Sequence, residues 1–156
     1  MSVLREFTNE DYATLYKFMR PLWLETYSFL PLEQVEFLLN KYFSETGLRH
    51  YRELGYRYYK IETGVLVIHE KQGEIYIDKL YLPPSARGTG LPKKVFAELL
   101  QAGKDLTLNV NKENQRAIRC YLKNGFKIER ETEIPLNCGF INHDYEMRLY
   151  AKKPTD

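Results

Sequence analysis

The 156-residue chain carries 23 Lys and Arg against 21 Asp and Glu, with 44% hydrophobic and 28% charged residues. That length buries a sizeable core without disulfide staples, the mixed composition excludes a disordered chain, and a net charge of +2 gives no general footprint for nucleic acid or a membrane surface. Two cysteines, Cys120 and Cys138, with neither a C-x-x-C pair nor neighbouring histidines, imply no metal site and no disulfide framework, so one cytosolic domain spanning residues 1–156 is expected.

Residues 2–7 alternate weakly and read as a first strand. It ends at Thr8, whose hydroxyl can cap a helix with Asp11 three residues on. Leu15, Phe18, Met19 and Leu22 then recur at helical spacing. A second helix is expected from Pro31 through Val35, Leu38, Leu39 and Tyr42, and Gly47 to Leu54 adds at most a short helical turn. From Tyr56 the period changes to that of strands near 56–61, 65–69 and 74–82, separated by the turn material Glu62-Thr63-Gly64 and Glu70-Lys71-Gln72-Gly73. Val95, Phe96, Leu99 and Leu100 mark a helix closed by Gly103. "DLTLNV" reads as a short buried strand, and "KENQRAIRCYLKN" as a helix ended by Gly125. Strands near 126–133 and 140–150 complete the chain, and no 18-residue apolar run of the kind that spans a membrane occurs. The order βααβββαβαββ predicts an α+β fold, a mixed and mostly antiparallel sheet with helices on both faces. The last strands offer an edge through which two copies could pair.

The stretch "RGTGLPKK", Arg87 to Lys94, lies between a strand and a helix. Glycines there let successive N–H groups face inward, and a helix start adds positive potential, which together suit a phosphate. A nucleoside triphosphate loop would require G-x-x-x-x-G-K-[ST], which is missing. A second segment is in register with this loop: Leu108-x-Val110-x-x-x-Asn114-x-x-Ala117-x-x-x-Tyr121-x-x-x-Gly125-Phe126. Together the two segments resemble the GNAT superfamily of acetyl-CoA-dependent N-acetyltransferases, whose central motifs are an R/Q-x-x-G-x-G/A loop and an N-x-x-A-x-x-x-Y-x-x-x-GF segment. The resemblance implies acetyl-CoA as co-substrate and no metal. It implies that Leu80 and Leu82 lie on a strand whose backbone pairs with the pantetheine arm. Arg87, Gly88, Thr89, Gly90, Leu91 and Lys93 would hold the pyrophosphate, with Lys123 as a further cofactor residue. Asn114 would bond the arm, Ala117 would keep the helix surface low, and Tyr121 would protonate the departing sulfur. Pro92 departs from the superfamily pattern where glycine or alanine is expected, and removes one N–H donor.

Acyl transfer to an amine also needs a base, for which Glu74, Asp78, His143 and Asp144 are the candidates. "PLWLETYSFLPLEQVEFLLNKYFS" and "INHDYEMRL" resemble the bacterial spermidine/spermine acetyltransferase branch of the superfamily. That resemblance implies a polyamine acceptor held by Trp23, Glu25, Tyr27, Phe29, His143 and Asp144 through ion pairs and cation–π contacts. The aromatic residues read equally well as core. Two other readings stay open: a protein N-terminal amine as acceptor, and a CoA-binding module without turnover.

Overall fold

A computed structural model describes residues 2–135, 139 and 141–151. The chain begins with β1 (Arg5–Glu6), followed by α1 (Asn9–Thr26), α2 (Leu32–Phe43) and α3 (Glu45–Glu53). Thr8 and Asp11 form the expected reciprocal cap at the start of α1, an arrangement worth about 1 kcal/mol. The third helix is longer than the turn expected from sequence, because the Ser44 side chain accepts from the Gly47 N–H and nucleates a full helix there. The remaining elements are β2 (Arg57–Ile61), β3 (Gly64–Lys71), β4 (Glu74–Tyr81), α4 (Leu91–Leu100), β5 (Asp105–Asn111), α5 (Gln115–Lys123), β6 (Lys127–Pro135) and β7 (Ile141–Leu149). The α5 helix starts three residues later than its sequence pattern suggested, since Asn114 caps it by accepting from the Ala117 N–H at 3.3 Å.

The strands form one seven-stranded sheet in the order β1-β2-β3-β4-β5-β7-β6. Every neighbouring pair is antiparallel except β4 with β5. A buried layer lies on each face. One joins α1, α2 and α3 to Tyr58, Val65 and Val67, and the other joins α4 and α5 to Ile75, Ile77, Leu106 and Leu108. Covered on both sides, β3 is buried from Gly64 to Ile68, which is why Val65-Leu66-Val67-Ile68 reads as an unbroken apolar run. The Trp23 ring belongs to the first layer, 4% exposed and packed edge-on to Phe43 at 5.1 Å and Tyr27 at 5.2 Å.

Two irregularities of β4 position the site. Val67 pairs with Lys79 and Ile68 with Ile77, so Asp78 is an extra residue opposite β3. Such a bulge shifts the side-chain alternation by one. Ile75 and Ile77 face the α4/α5 layer, Leu80 and Leu82 pack against that layer again, and Lys79 is turned to the side of α2 and α3. The second irregularity is that β4 pairs with β5 only from Glu74–Asp105 to Ile77–Leu108. Past that point the two strands part.

Candidate active site

The parting of β4 and β5 opens a cleft of about 250 Å³, lined by Asp78 to Leu82 of β4 and the segment beyond it, Leu108 to Asn111 of β5, and Ala117, Cys120 and Tyr121 of α5. Leu22, Thr26 and Tyr27 of α1 close one side, and Asn142 and Asp144 of β7 another. Because the β4–β5 ladder has ended, the backbone groups of β4 that face β5 beyond Ile77 have no strand partner on that side among the described residues. An extended ligand can satisfy them as an added strand would.

At one end of the cleft lies the loop before α4. Gly88 and Gly90 adopt φ of +72° and +79°, a left-handed backbone that strains any side chain. Gly90 is the residue that precedes α4. The first-turn N–H groups of that helix have no intrahelical carbonyl to bond, and the helix dipole adds positive potential there. Pro92, at the second helical position, deletes one of these donors and has a backbone suited to the first turn. Thr89 Oγ1 donates to the Ala86 carbonyl at 2.8 Å and Arg87 Nε to the Leu82 carbonyl at 3.1 Å, so both tie the loop to the end of β4. Leu91 contributes backbone only, since its side chain is 1% exposed in the core. Lys93 and Lys123 are exposed and stand outside the cleft lining, as does Lys94.

Arg116, on the first turn of α5, faces the same end, a residue that sequence reasoning passed over although it sits two positions after Asn114. The Glu25 carboxylate lies between the arginines: Arg87 Nη2 donates to Oε1 at 2.5 Å and Arg116 Nη2 stands 3.6 Å away. The bond from Arg87 holds the Glu25 carboxyl below the usual carboxylate range. Glu25 is therefore engaged with the anion end, not free for a substrate cation as the sequence suggested.

The other end is built from acidic and aromatic groups. Asp144, opposite Asn111 on β5 and Thr132 on β6, is 7% exposed, and its Oδ1 has no hydrogen-bond partner among the described residues. Burial pushes its carboxyl up, against a smaller opposite effect from His143. Asp78 differs, because the Lys79 ammonium is bonded directly to its Oδ2. Glu74 is bonded to Arg148 at 2.7 Å at the far end of β4, away from the cleft. His143 is exposed, with Nδ1 3.5 Å from Glu133 Oε1. Adjacent residues of a strand point to opposite faces, so His143 and Asp144 cannot both enter the cleft, and Asp144 is the one that does.

Tyr121 is 8% exposed, its ring packed 5.4 Å from Phe126 and 6.2 Å from Phe96 while its edge reaches the cleft. Burial raises its pKa, so its phenol stays protonated. The hydroxyls of Tyr27 and Tyr81 hydrogen-bond to each other at 3.0 Å, and burial raises both pKa values. Tyr27 lines the cleft. Trp23 does not, being held in the core, and Phe29 is 40% exposed beyond it. Cys138 lies outside the described residues.

A donor-rich loop, two arginines and an open strand edge fit a long ligand that combines phosphates with an amide-bearing arm. The comparisons with known proteins agree with that geometry. A Mycobacterium bovis N-acetyltransferase is 34% identical over 87 residues, covering 53% of this chain and 55% of its own. The peptidyl-lysine N-acetyltransferase YjaB of Escherichia coli is 34% identical over 59 residues, 38% of this chain and 40% of its own. The chain thus spans about half the length of the curated relatives it matches. The fold is shared with the PaiA N-acetyltransferase of Thermoplasma acidophilum in complex with coenzyme A, at a TM-score of 0.71 and 21% identity over 94% of this chain and 97% of that one. It is shared also with the spermidine N-acetyltransferase of Vibrio cholerae in complex with CoA and spermine, at a TM-score of 0.62 and 17% identity over 95% and 94%. The acetyltransferase (GNAT) family profile matches residues 14–126, and with well over half of its length so matched, the chain belongs to that family.

Proposed function

We propose that the chain catalyses acetyl transfer from acetyl-CoA to a primary amine, with Asp144 as the base. The observation that carries this reading is the buried Asp144 Oδ1, which lacks a hydrogen-bond partner among the described residues and lies in the cleft where β4 and β5 part. An ammonium that enters the cleft meets there a carboxylate with an open acceptor position and a raised affinity for protons. Asp144 takes the ammonium proton and leaves the nitrogen lone pair free for attack.

Acetyl-CoA supplies the thioester. The loop from Arg87 to Leu91 and Arg116 hold its phosphates, displacing the Glu25 carboxylate from the arginines, and the exposed edge of β4 at Leu80 and Leu82 binds its arm. Asn114 spends its side-chain oxygen on the helix cap, which leaves its NH₂ as the group available to the arm. Ala117 presents only a methyl group beside it. Tyr121 serves the sulfur as a hydrogen-bond donor. A phenol whose pKa has risen above 10 gives up its proton to a thiolate of pKa about 8.5 only uphill, so it stabilises the developing negative charge by donating rather than by full transfer. The proton that the attacking nitrogen sheds as the C–S bond breaks and the amide forms neutralises the departing thiolate.

The polyamine pocket expected from sequence has weaker support. Of its aromatic walls only Tyr27 lines the cleft, and Glu25 stands outside that lining. One relative is named for peptidyl-lysine and one fold neighbour holds spermine, so the acceptor is best identified by test. The protein with acetyl-CoA is mixed with alkylamines, polyamines, lysine-containing peptides and free N-terminal peptides, and thiol release is followed together with product mass. Transfer to at least one amine, lost in Asp144→Asn, is expected. Tight acetyl-CoA binding with no thiol release from any amine would favour a binding module instead.

A further inference from the structure

Lys79 is 7% exposed, an unusual burial for a lysine. The bulge at Asp78 turns it toward α2 and α3, where its ammonium lies 4.2 Å from the centre of the Tyr42 ring, 5.6 Å from Phe43 and 5.9 Å from Tyr51. Asp78 Oδ2 accepts from the same ammonium. Three aromatic faces and one carboxylate make a desolvated cation box of the kind that holds ammonium ligands, and both Asp78 and Lys79 border the cleft. The box is filled from within by the chain's own side chain.

We infer that Lys79 determines acceptor specificity: by occupying this box it denies a place to a second ammonium, so the acceptor is an amine with one cationic centre, met by Asp144 alone. This rests on the reading that the acceptor enters this cleft. A diamine or polyamine would bring its second charge beside the Lys79 ammonium, with Asp78 already neutralised. An amine whose remaining length is neutral, such as an alkylamine or a lysine side chain within a neutral peptide, meets no such opposition.

Alkylamines of four to eight carbons and the α,ω-diamines of equal length are titrated calorimetrically into the CoA-saturated protein, so that the preference is read without turnover. The wild-type chain is expected to bind no diamine more tightly than its matching alkylamine. Lys79→Ala, which empties the box and frees Asp78, is expected to bind at least one diamine about tenfold more tightly than the matching alkylamine, the size of one desolvated cation contact. Lys79→Arg, which keeps the charge, should behave as wild type. Comparing two ligands on one protein sample removes any effect of a reduced folded fraction, and Lys79→Gln serves if the alanine variant fails to fold. A diamine preference in the wild-type chain, or no diamine preference in either neutral variant, would overturn the inference. Thiol release is scored separately: absent turnover with the predicted binding pattern would count against acetyl transfer while upholding the box.

Discussion

The two ends of the cleft use charge in opposite ways. The anion end spreads its positive potential over backbone N–H groups, a helix start and two arginines, and Glu25 bridges the arginines. In the proposed reaction the acceptor end relies on one carboxylate. Asp144 and Asp78 both line the cleft, yet Asp78 has Lys79 as its counter-ion while Asp144 Oδ1 has no hydrogen-bond partner among the described residues. An anchoring site gains from redundancy, because each donor adds a little. A proton-transfer site gains from isolation, because a paired carboxylate is a weak base. Damage should therefore be graded at the anion end and abrupt at the acceptor end.

The largest effect is expected from Asp144→Asn, which should lower kcat/KM about a hundredfold or more in steady-state assays and leave CoA binding unchanged. The same change should raise the melting temperature at pH 7 by a few degrees. Burial raises the folded-state pKa of Asp144, so the folded chain holds this proton more tightly than the unfolded one. The resulting stability is complete below the unfolded value of about 3.9 and is lost as pH rises through the higher folded value, and asparagine removes that loss. Lower stability in the variant would break the contrast.

Gly90→Val should weaken CoA binding by more than tenfold, because a branched residue at φ of +79° distorts the start of α4, with a local strain of about 1–2 kcal/mol. Unchanged CoA affinity in calorimetry would remove the loop from the anion end. Tyr121→Phe should reduce kcat about tenfold and leave the CoA dissociation constant alone, since the loss falls on a charge that develops only during reaction. An equal loss in both would make Tyr121 a packing residue. The smallest effect belongs to Glu25→Gln, which should tighten CoA binding about threefold by removing a competitor for Arg87 and Arg116, an exposed pair being worth little. Pantetheine, which lacks the phosphates, should bind both forms equally. Weaker CoA binding by the variant would instead make Glu25 a support for the arginines.

The loop before α4 and the face of α5 beside it, the proposed anion end, were largely legible as structure in the sequence because their parts are local. Arg87, Gly88 and Gly90 fall within four residues, and Asn114, Ala117 and Tyr121 recur at helical spacing, so strand–loop–helix patterning carries the geometry. The acceptor end depends on distant registers. Whether Asp144 or His143 enters the cleft is set by the pairing of β7 with β5. The box around Lys79 requires both a bulge, which no turn residue announces, and the packing of rings from Tyr42 and Tyr51. The partner of Arg87 lies 62 positions away at Glu25, and for that reason a glutamate beside three aromatic residues looked like a cation site. Trp23 follows Met19 by four residues, the helical spacing that places it on the core face of α1.

The most direct test of Asp144 as base is the pH dependence of kcat/KM for one amine, measured for the wild-type chain and for Asp144→Asn. The wild-type profile should show an acid limb above the ordinary carboxylate range and then level across neutral pH, because the protein removes the ammonium proton. Asp144→Asn should lose that plateau and rise tenfold per pH unit as the free amine forms in solution. Profiles of the same shape, displaced or not, would contradict the assignment.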